Sequence, residues 1–426
     1  MAAQKYLKRI IDEELGELLD ELPAIVIEGA KGVGKTETAL QYARSVFRLD
    51  DDTQLLLAKA DPKRLLIQTR PVLLDEWQRL PSLWDHVRRA VDDGAAPGSF
   101  VLTGSAAPLN SPTHSGAGRM VTLRMRPLSL QERELCKATV SLTSLLNAES
   151  VDIDGSCPLS LTDYTEEILM SGFPGIRKLK GKARRLTLEG YLNRIVDRDF
   201  EEQGIEVRRP DTLLRWMRAY AAATATTTSY ETIRDAASAG ESTSLAKTTT
   251  IPYRDTLNRL WITESLPAWL PTRNQLSKLA KAPKHHLADP ALAAQLLGAS
   301  QDSLLTGQTR GPKIPRDGTL LGHLFESLAT LCIRVYAQQC EAKVFHLRTP
   351  RNAQEVDLIV ERPDGRIVAF EIKLSSEIGD RDVRHLHWLK AKIGDDLLDA
   401  VVLTTGPYAY RRKDGIAVVP LALLGL

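Results

Sequence analysis

Cysteine is scarce and unpatterned in this chain. Its four copies (Cys136, Cys157, Cys332, Cys340) show no C-x-x-C pair and no metal-like spacing. That excludes a disulfide scaffold and a zinc module, and leaves reduced thiols of the kind a cytoplasmic protein carries. No apolar run approaches the roughly 20 residues that span a bilayer. The leading MAAQKYLKRIIDEELGELLDEL is charged throughout, which excludes a signal peptide. No membrane is expected among the partners. One sign of charge does not prevail either: the net charge is +2, so any nucleic-acid surface must be local. What is present, 43% hydrophobic and 26% charged residues, is ordinary for a globular chain. Its length suits roughly two to four domains. The leading segment reads as an amphipathic helix with Leu7, Ile10, Ile11, Leu15 and Leu18 on one face.

The stretch that organises the rest is Ala24–Thr38. A β-branched run, Ile25–Ile27, meets Gly29-Ala30-Lys31-Gly32-Val33-Gly34-Lys35-Thr36, and a helical pattern follows from Glu37 to about Phe47. This is G-x-x-x-x-G-K-[ST] between a strand and a helix, the context a phosphate loop requires. Gly29, Gly32 and Gly34 permit a turn tight enough for the backbone N–H groups to converge on phosphate oxygens. The helix start adds the positive end of its dipole there. Lys35 can reach the β- and γ-phosphates of ATP, and the Thr36 hydroxyl can hold Mg²⁺.

Val46–Asp50 reads as a second strand, and Pro71–Glu76 as an apolar strand ending in two acids. Asp75 would hold Mg²⁺, and Glu76 would polarise the attacking water. Trp84–Val91 follows as a helix and Ser99–Ser105 as another buried strand. Thr103 or Ser105, at its end, would contact the γ-phosphate, unless the sequence there is only a polar turn. Beyond the small, polar loop Asn110–Gly118, Arg119 precedes the strand Met120–Met125. It can serve as an arginine finger toward a neighbouring subunit or as a surface charge. The alternation of strands and helices predicts a doubly wound parallel sheet with nucleotide at its C-terminal edge.

From Pro127 the pattern turns helical, with Leu128–Leu135, Leu161–Met170 and Tyr191–Phe200. The basic run Arg177–Arg185 suits either a phosphate backbone or solvent. Asp211–Leu270 then reads as helix, helix, capped helix and strand: Leu213–Ala223, Tyr230–Ala237, Thr248–Trp261 and Trp261–Leu270. That is the order of a winged helix-turn-helix. Thr248–Thr250 would cap the third helix, and Arg254, Asn258 and Arg259 would face DNA, although many such units bind protein. Lys278–Pro283 and Gly307–Gly318 read as linkers.

The last domain opens with a long helix, Leu320–Ala337, carrying Glu326 among apolar neighbours, and a strand, Val344–Arg348. Pro363-Asp364-Gly365 between two alternating runs marks a hairpin. Centred on Asp364, it sets Asp357 opposite Glu371, with Lys373 and Glu355 on the same face. Two carboxylates, a lysine and Glu326 from the helix would form a patch suited to metal-assisted phosphodiester cleavage. Asp357 and Glu371 would hold Mg²⁺ or Mn²⁺, and Lys373 would position water.

Taken together the chain resembles a prokaryotic ATPase family that joins an AAA-type P-loop domain to a helical and winged-helix middle and a PD-(D/E)XK-nuclease-like C-terminal domain. The matching pieces run in order: Gly-Val-Gly-Lys-Thr (32–36), Leu-Leu-Asp-Glu-Trp-Gln (73–78), Leu-Thr-Gly-Ser (102–105) and Gly-Arg (118–119). Then come Gly-Phe-Pro (172–174), Arg-Asp (198–199), Ala-Pro-Lys (282–284), Leu-Phe-Glu (324–326), Glu-Val-Asp (355–357) and Glu-Ile-Lys (371–373). Ala30-Lys31-Gly32 replaces the family's Pro-Arg-Gln, and Ser171 its glycine. The expected layout is α/β: an ATPase domain at 1–135, a helical lid-like region at 136–208, a winged-helix-like domain at 209–290 and a nuclease-like domain at 315–426. The resemblance implies ATP binding, hydrolysis and an intact nuclease motif. The expected protein acts on nucleic acid, DNA foremost, and assembles with copies of itself through the ATPase domain. The alternative is a non-cleaving, ATP-switched DNA-binding or regulatory module.

Overall fold

A computed structural model describes residues 6–105, 117–148, 152–240, 245–271, 281–306, 318–349 and 354–426. The polar loop at 110–118 and the linker at 307–318 fall largely outside these residues, as does the first half of the linker at 278–283.

Helix α1 (Ile11–Glu21) buries Ile11, Leu15 and Leu19, and its acidic first turn suits the helix dipole. Strand β1 (Ala24–Glu28) follows. Ile25 and Ile27 point into one core, and Ala24 and Val26 into another on the opposite face. A strand apolar on both sides belongs inside a parallel sheet. With β2 (Ser45–Arg48), β3 (Val72–Asp75), β4 (Phe100–Gly104) and β5 (Val121–Arg124) it forms one, in the order β2-β3-β4-β1-β5. Strand β4 thus lies between the P-loop strand and the strand that ends in Asp75, so its own end is adjacent to both.

Two expected helices are shorter than their patterns. The helix after the P-loop, α2, covers only Lys35–Leu40, because Ser45–Arg48 pairs with β3 and packs the half-buried Val46 and Phe47 against the two cores. Leu128–Leu135 contains a single 3₁₀ turn, Gln131–Arg133. The Glu132 carboxylate there accepts from the backbone N–H groups of Ser129 (2.7 Å) and Ile10 (2.9 Å), pinning the turn to the segment before α1. Helix α3 (Ser82–Asp92) closes the outer face of the sheet.

In the middle, α4 (Leu161–Met170) starts on a Ser160–Asp163 capping box. Helix α5 (Gly181–Arg194) runs into a π-helical turn at Ile195–Asp199. Helices α6 (Pro210–Ala222), α7 (Tyr230–Ala237) and α8 (Lys247–Arg259) follow, with Pro252 inside α8. The cap of α8 is Ala246, with no side-chain bond, so Thr248–Thr250 lie inside the helix rather than before it. Beyond α8 the chain is extended, and Thr263 and Leu266 pair antiparallel with Leu287 and Lys284 in a short ribbon. Helix α9 (Pro290–Leu296) packs behind it.

Helix α10 (Gly318–Gln339) is long and apolar enough to cross a bilayer by composition, more so than the sequence reading allowed. In the fold it is a core helix, with Leu324, Phe325, Leu328, Cys332 and Tyr336 fully buried. Strands β6 (Val140–Ser141) and β7 (Gly155–Ser156) come from the middle of the chain, and the other strands lie beyond α10. These are β8 (Lys343–Arg348), β9 (Glu355–Glu361), β10 (Ile367–Ile372), β11 (Leu397–Thr404), β12 (Tyr408–Arg411), β13 (Ala417–Pro420) and β14 (Leu424–Gly425). The second sheet has the order β7-β12-β13-β11-β10-β9-β8, while β14 pairs with β6. Helix α11 (Asp380–Ile393) covers its far face.

Candidate functional site

Two polar centres emerge, at the carboxyl end of the first sheet and beside α10. In the first, Gly32 (φ +81°) and Gly34 (φ +106°) take the left-handed backbone that glycine adopts without strain. A Cβ on Gly29 would stand 2.3 Å from the Met125 carbonyl oxygen. Buried Lys35 donates to the carbonyls of Gly29 (2.8 Å) and Ala30 (3.0 Å), and burial pushes its ammonium down to about 8. The Thr36 hydroxyl donates to Asp75 Oδ1 at 2.8 Å, and Thr103, at the end of β4, donates to the same oxygen at 2.5 Å. Glu76 is held in the left-handed region (φ 55°), an uncommon place for a side-chain-bearing residue. Its carboxylate faces Gln78 and, at 3.5 Å, the Ser105 hydroxyl.

A cavity of about 740 Å³ opens over Gly32, Gly34, Lys35, Thr36 and Glu76. Its lining also includes Tyr6, Arg9 and Arg133, which the motifs did not single out, and Arg177 and Lys178. Arg177 and Lys178 open the basic run; the Arg177 guanidinium is paired with Glu167 at 2.7 and 2.9 Å, and Lys178 is exposed at the cavity rim. Lys31 points elsewhere: its ammonium lies 2.6 Å from Asp199 and 2.7 Å from Glu202 at the end of the π-helical turn. Only its backbone belongs to the phosphate loop. Val33, for its part, is buried beside Gly29. Arg119 is half-exposed and bonded to Asp92 at 2.7 Å, both on the surface of the first domain.

In the second centre the hairpin register runs Glu361–Ile367 through Leu358–Phe370, and Asp357 and Glu371 come next. Asp357 Oδ2 accepts from the Ile372 N–H at 3.0 Å, and Lys373 lies 2.9 Å from Glu371 Oε2. Glu371 Oε1 is buried with no hydrogen-bond partner. Burial and then the Asp357 charge raise the Glu371 carboxyl well above its usual range. Glu326 enters from α10. The residue that joins them is Lys284, on the ribbon beyond α8. Its side chain is 1% exposed, and its Nζ lies 2.6 Å from Glu326, 3.3 Å from Asp357 and 3.4 Å from Glu355. Those carboxylates hold the ammonium charged against its burial, while Lys284 and Lys373 hold Asp357 below its ordinary value, also against burial. Burial still pushes Glu326 up to about 8. Among the described residues no three Asp, Glu, His or Cys side chains stand close enough together to hold a metal ion. The carboxylates have the chemistry for a hard divalent cation, but Lys284 stands between them. The only sequence signal for Lys284 was Ala282-Pro283-Lys284.

The expected recognition helix is engaged within its own domain. Arg254 lies over the Tyr230 ring (5.0 Å), Asn258 accepts from Thr263, and Arg259 donates to Thr256 at 3.1 Å.

The parallel sheet, the glycine loop and the Thr36–Asp75 contact define the first domain as a P-loop ATPase domain. Residues 21–134 match the model of an AAA domain. Residues 161–303 and 321–424 match domains of unknown function, DUF8612 and DUF4143. Uncharacterised proteins of Mycobacterium tuberculosis and Mycobacterium bovis are each 25% identical over 414 residues, 95% of this chain and 82% of theirs. A Walker-type ATPase of Pyrococcus abyssi aligns with TM-score 0.39 and 15% identity, over 67% of this chain and 94% of that one.

Proposed function

We propose that the chain binds and hydrolyses ATP and acts on nucleic acid, DNA foremost, through a C-terminal nuclease-type site. The observation that carries this reading is the convergence of Glu326, Asp357, Glu371 and Lys373 beside α10, in one chain with a complete P-loop. At the P-loop, Thr36 and Asp75 would hold Mg²⁺, which when bound neutralises charge on the β- and γ-phosphates. Lys35 would turn from its loop carbonyls to those phosphates, and Glu76 would align the attacking water. Thr103 keeps Asp75 oriented, Lys178 supplies positive charge at the rim of the same cavity, and Arg177, paired with Glu167, helps line it. Arg119 acts across an interface between copies of the chain. The three helices and ribbon at 210–287 serve as a winged-helix element that contacts DNA.

A second reading, a non-cleaving ATP-switched module, is favoured by the Lys284 ammonium inside the acid cluster. The two are separated by incubating the protein with single- and double-stranded DNA, Mg²⁺ or Mn²⁺, with and without ATP, beside Asp357→Ala. Metal-dependent cleavage lost in Asp357→Ala supports the first, and no cleavage under any condition supports the second. Lys35→Ala should lose ATP binding and turnover, and retained turnover would overturn the assignment of the nucleotide site.

A further inference from the structure

Four carboxylates (Glu326, Glu355, Asp357, Glu371) face two ammonium groups, Lys284 and Lys373. Arg348 adds a guanidinium 3.7 Å from Glu355, burial holds the Glu326 and Glu371 carboxyls toward their neutral forms, and Glu371 Oε1 is buried with no hydrogen-bond partner. A residue that only filled a gap would not need three carboxylate contacts on one nitrogen. Lys284 Nζ stands among the Glu326, Glu355 and Asp357 carboxylates, which are not drawn together closely enough to share a metal ion while it is there, yet Lys284 is not part of the C-terminal fold. It comes from the ribbon, where it exchanges backbone hydrogen bonds with Leu266 at 2.8 and 2.9 Å.

That ribbon is tied to the nucleotide site by contiguous contacts. Arg9 donates to the P-loop carbonyl of Val33 (2.8 Å) and to the carbonyl of Arg126 (2.7 Å). Arg126 is paired with Glu264 at 2.7 Å, and the Glu264 N–H donates to the His286 carbonyl at 2.9 Å. Two residues before His286 is Lys284. A small shift of the ribbon against α10 would draw the ammonium out of the cluster and leave carboxylates alone, the donor set a divalent cation prefers.

We propose that Lys284 is an internal counter-ion occupying the divalent-cation position of the C-terminal site, so that the site takes metal only when the ribbon withdraws it. This rests on the nuclease-type reading of that site. Lys284 is a regulatory residue, not a catalytic one: it closes the site in the conformation described here.

The test is Mn²⁺ binding, followed by the loss of the free-ion electron paramagnetic resonance signal. It uses the full chain carrying Lys35→Ala, which removes the nucleotide and the metal bound with it. In that background, Lys284→Met should bind one Mn²⁺ at least about tenfold more tightly than the Lys284 parent. Mn²⁺ should also raise its unfolding temperature. Both effects should vanish on adding Asp357→Ala. Because removing one partner from a buried ion pair can prevent folding, Lys284→Gln, which removes the charge but keeps an N–H donor for Glu326, carries the same expectation. Asp357-dependent binding that is equally tight with and without Lys284 overturns the proposal and leaves the nuclease-type reading standing. Absence of Asp357-dependent binding in every variant overturns both.

Discussion

Glu264 offers the sharpest test of how the first domain is joined to the rest. It lies 2.7 Å from Arg126 of the ATPase domain and 3.7 Å from Arg334 of α10, and Arg334 also donates to its backbone carbonyl at 2.9 Å. Arg124, stacked 3.7 Å over the Trp261 ring, adds a third buried guanidinium. Against its burial, these arginines hold the Glu264 carboxyl well below its ordinary value. Glu264→Ala would leave three buried positive charges without their shared counter-ion, a loss of about 3–5 kcal/mol. Glu264→Gln keeps an acceptor oxygen and should lose only about 2 kcal/mol. The pH dependence has a defined sign. A carboxyl depressed on folding stabilises above its unfolded value, 4.5, and that contribution is lost as pH falls below it. In urea unfolding followed by circular dichroism, the gap between wild type and Glu264→Gln should therefore be full at neutral pH and shrink in acid. A loss under about 1 kcal/mol for Glu264→Ala at neutral pH, or a gap that does not shrink in acid, would refute the joint as described.

Other perturbations test the nucleotide site. Glu76→Gln should retain ATP binding while turnover falls about 10²–10⁴-fold, as steady-state kinetics beside equilibrium binding would show. Gly29→Ala forces a Cβ against the Met125 carbonyl and should cost about 1–3 kcal/mol in denaturant unfolding, with nucleotide binding weakened. Lys31→Ala breaks two pairs whose lysine is 27% exposed, so stability should fall by less than about 1 kcal/mol. Hydrogen exchange at residues 195–202 should quicken in that variant, because the π-helical turn loses its tie to the P-loop.

How much could be read from the chain alone follows from how local each feature is. Gly29–Thr36 is contiguous and works mainly through backbone conformation, so its geometry is written into eight neighbouring residues. The hairpin is similar: Pro363-Asp364-Gly365 fixes the turn, and period-two alternation then carries Asp357 and Glu371 to the same end of the ribbon. Lengths were less legible. The helical pattern through Phe47 lost to a sheet edge that half-buries that residue, and Leu128–Leu135 lost to the Glu132 carboxylate bonded to the N–H of Ile10, 122 residues away. In each case a tertiary contact outweighed a local preference worth only a fraction of a kcal/mol per residue.

Sequence by itself determined the glycine loop, the acids that end β3 and the pairing of the C-terminal hairpin, because each depends on residues close together along the chain. Folding alone decided what surrounds them. It brought Lys284 across 42 and 73 residues to Glu326 and Asp357, and turned Lys31 away from the loop toward Asp199, 168 residues on. A lysine's long stem and mobile charge fit almost any acid within reach, so which acid it meets depends on how the helices pack.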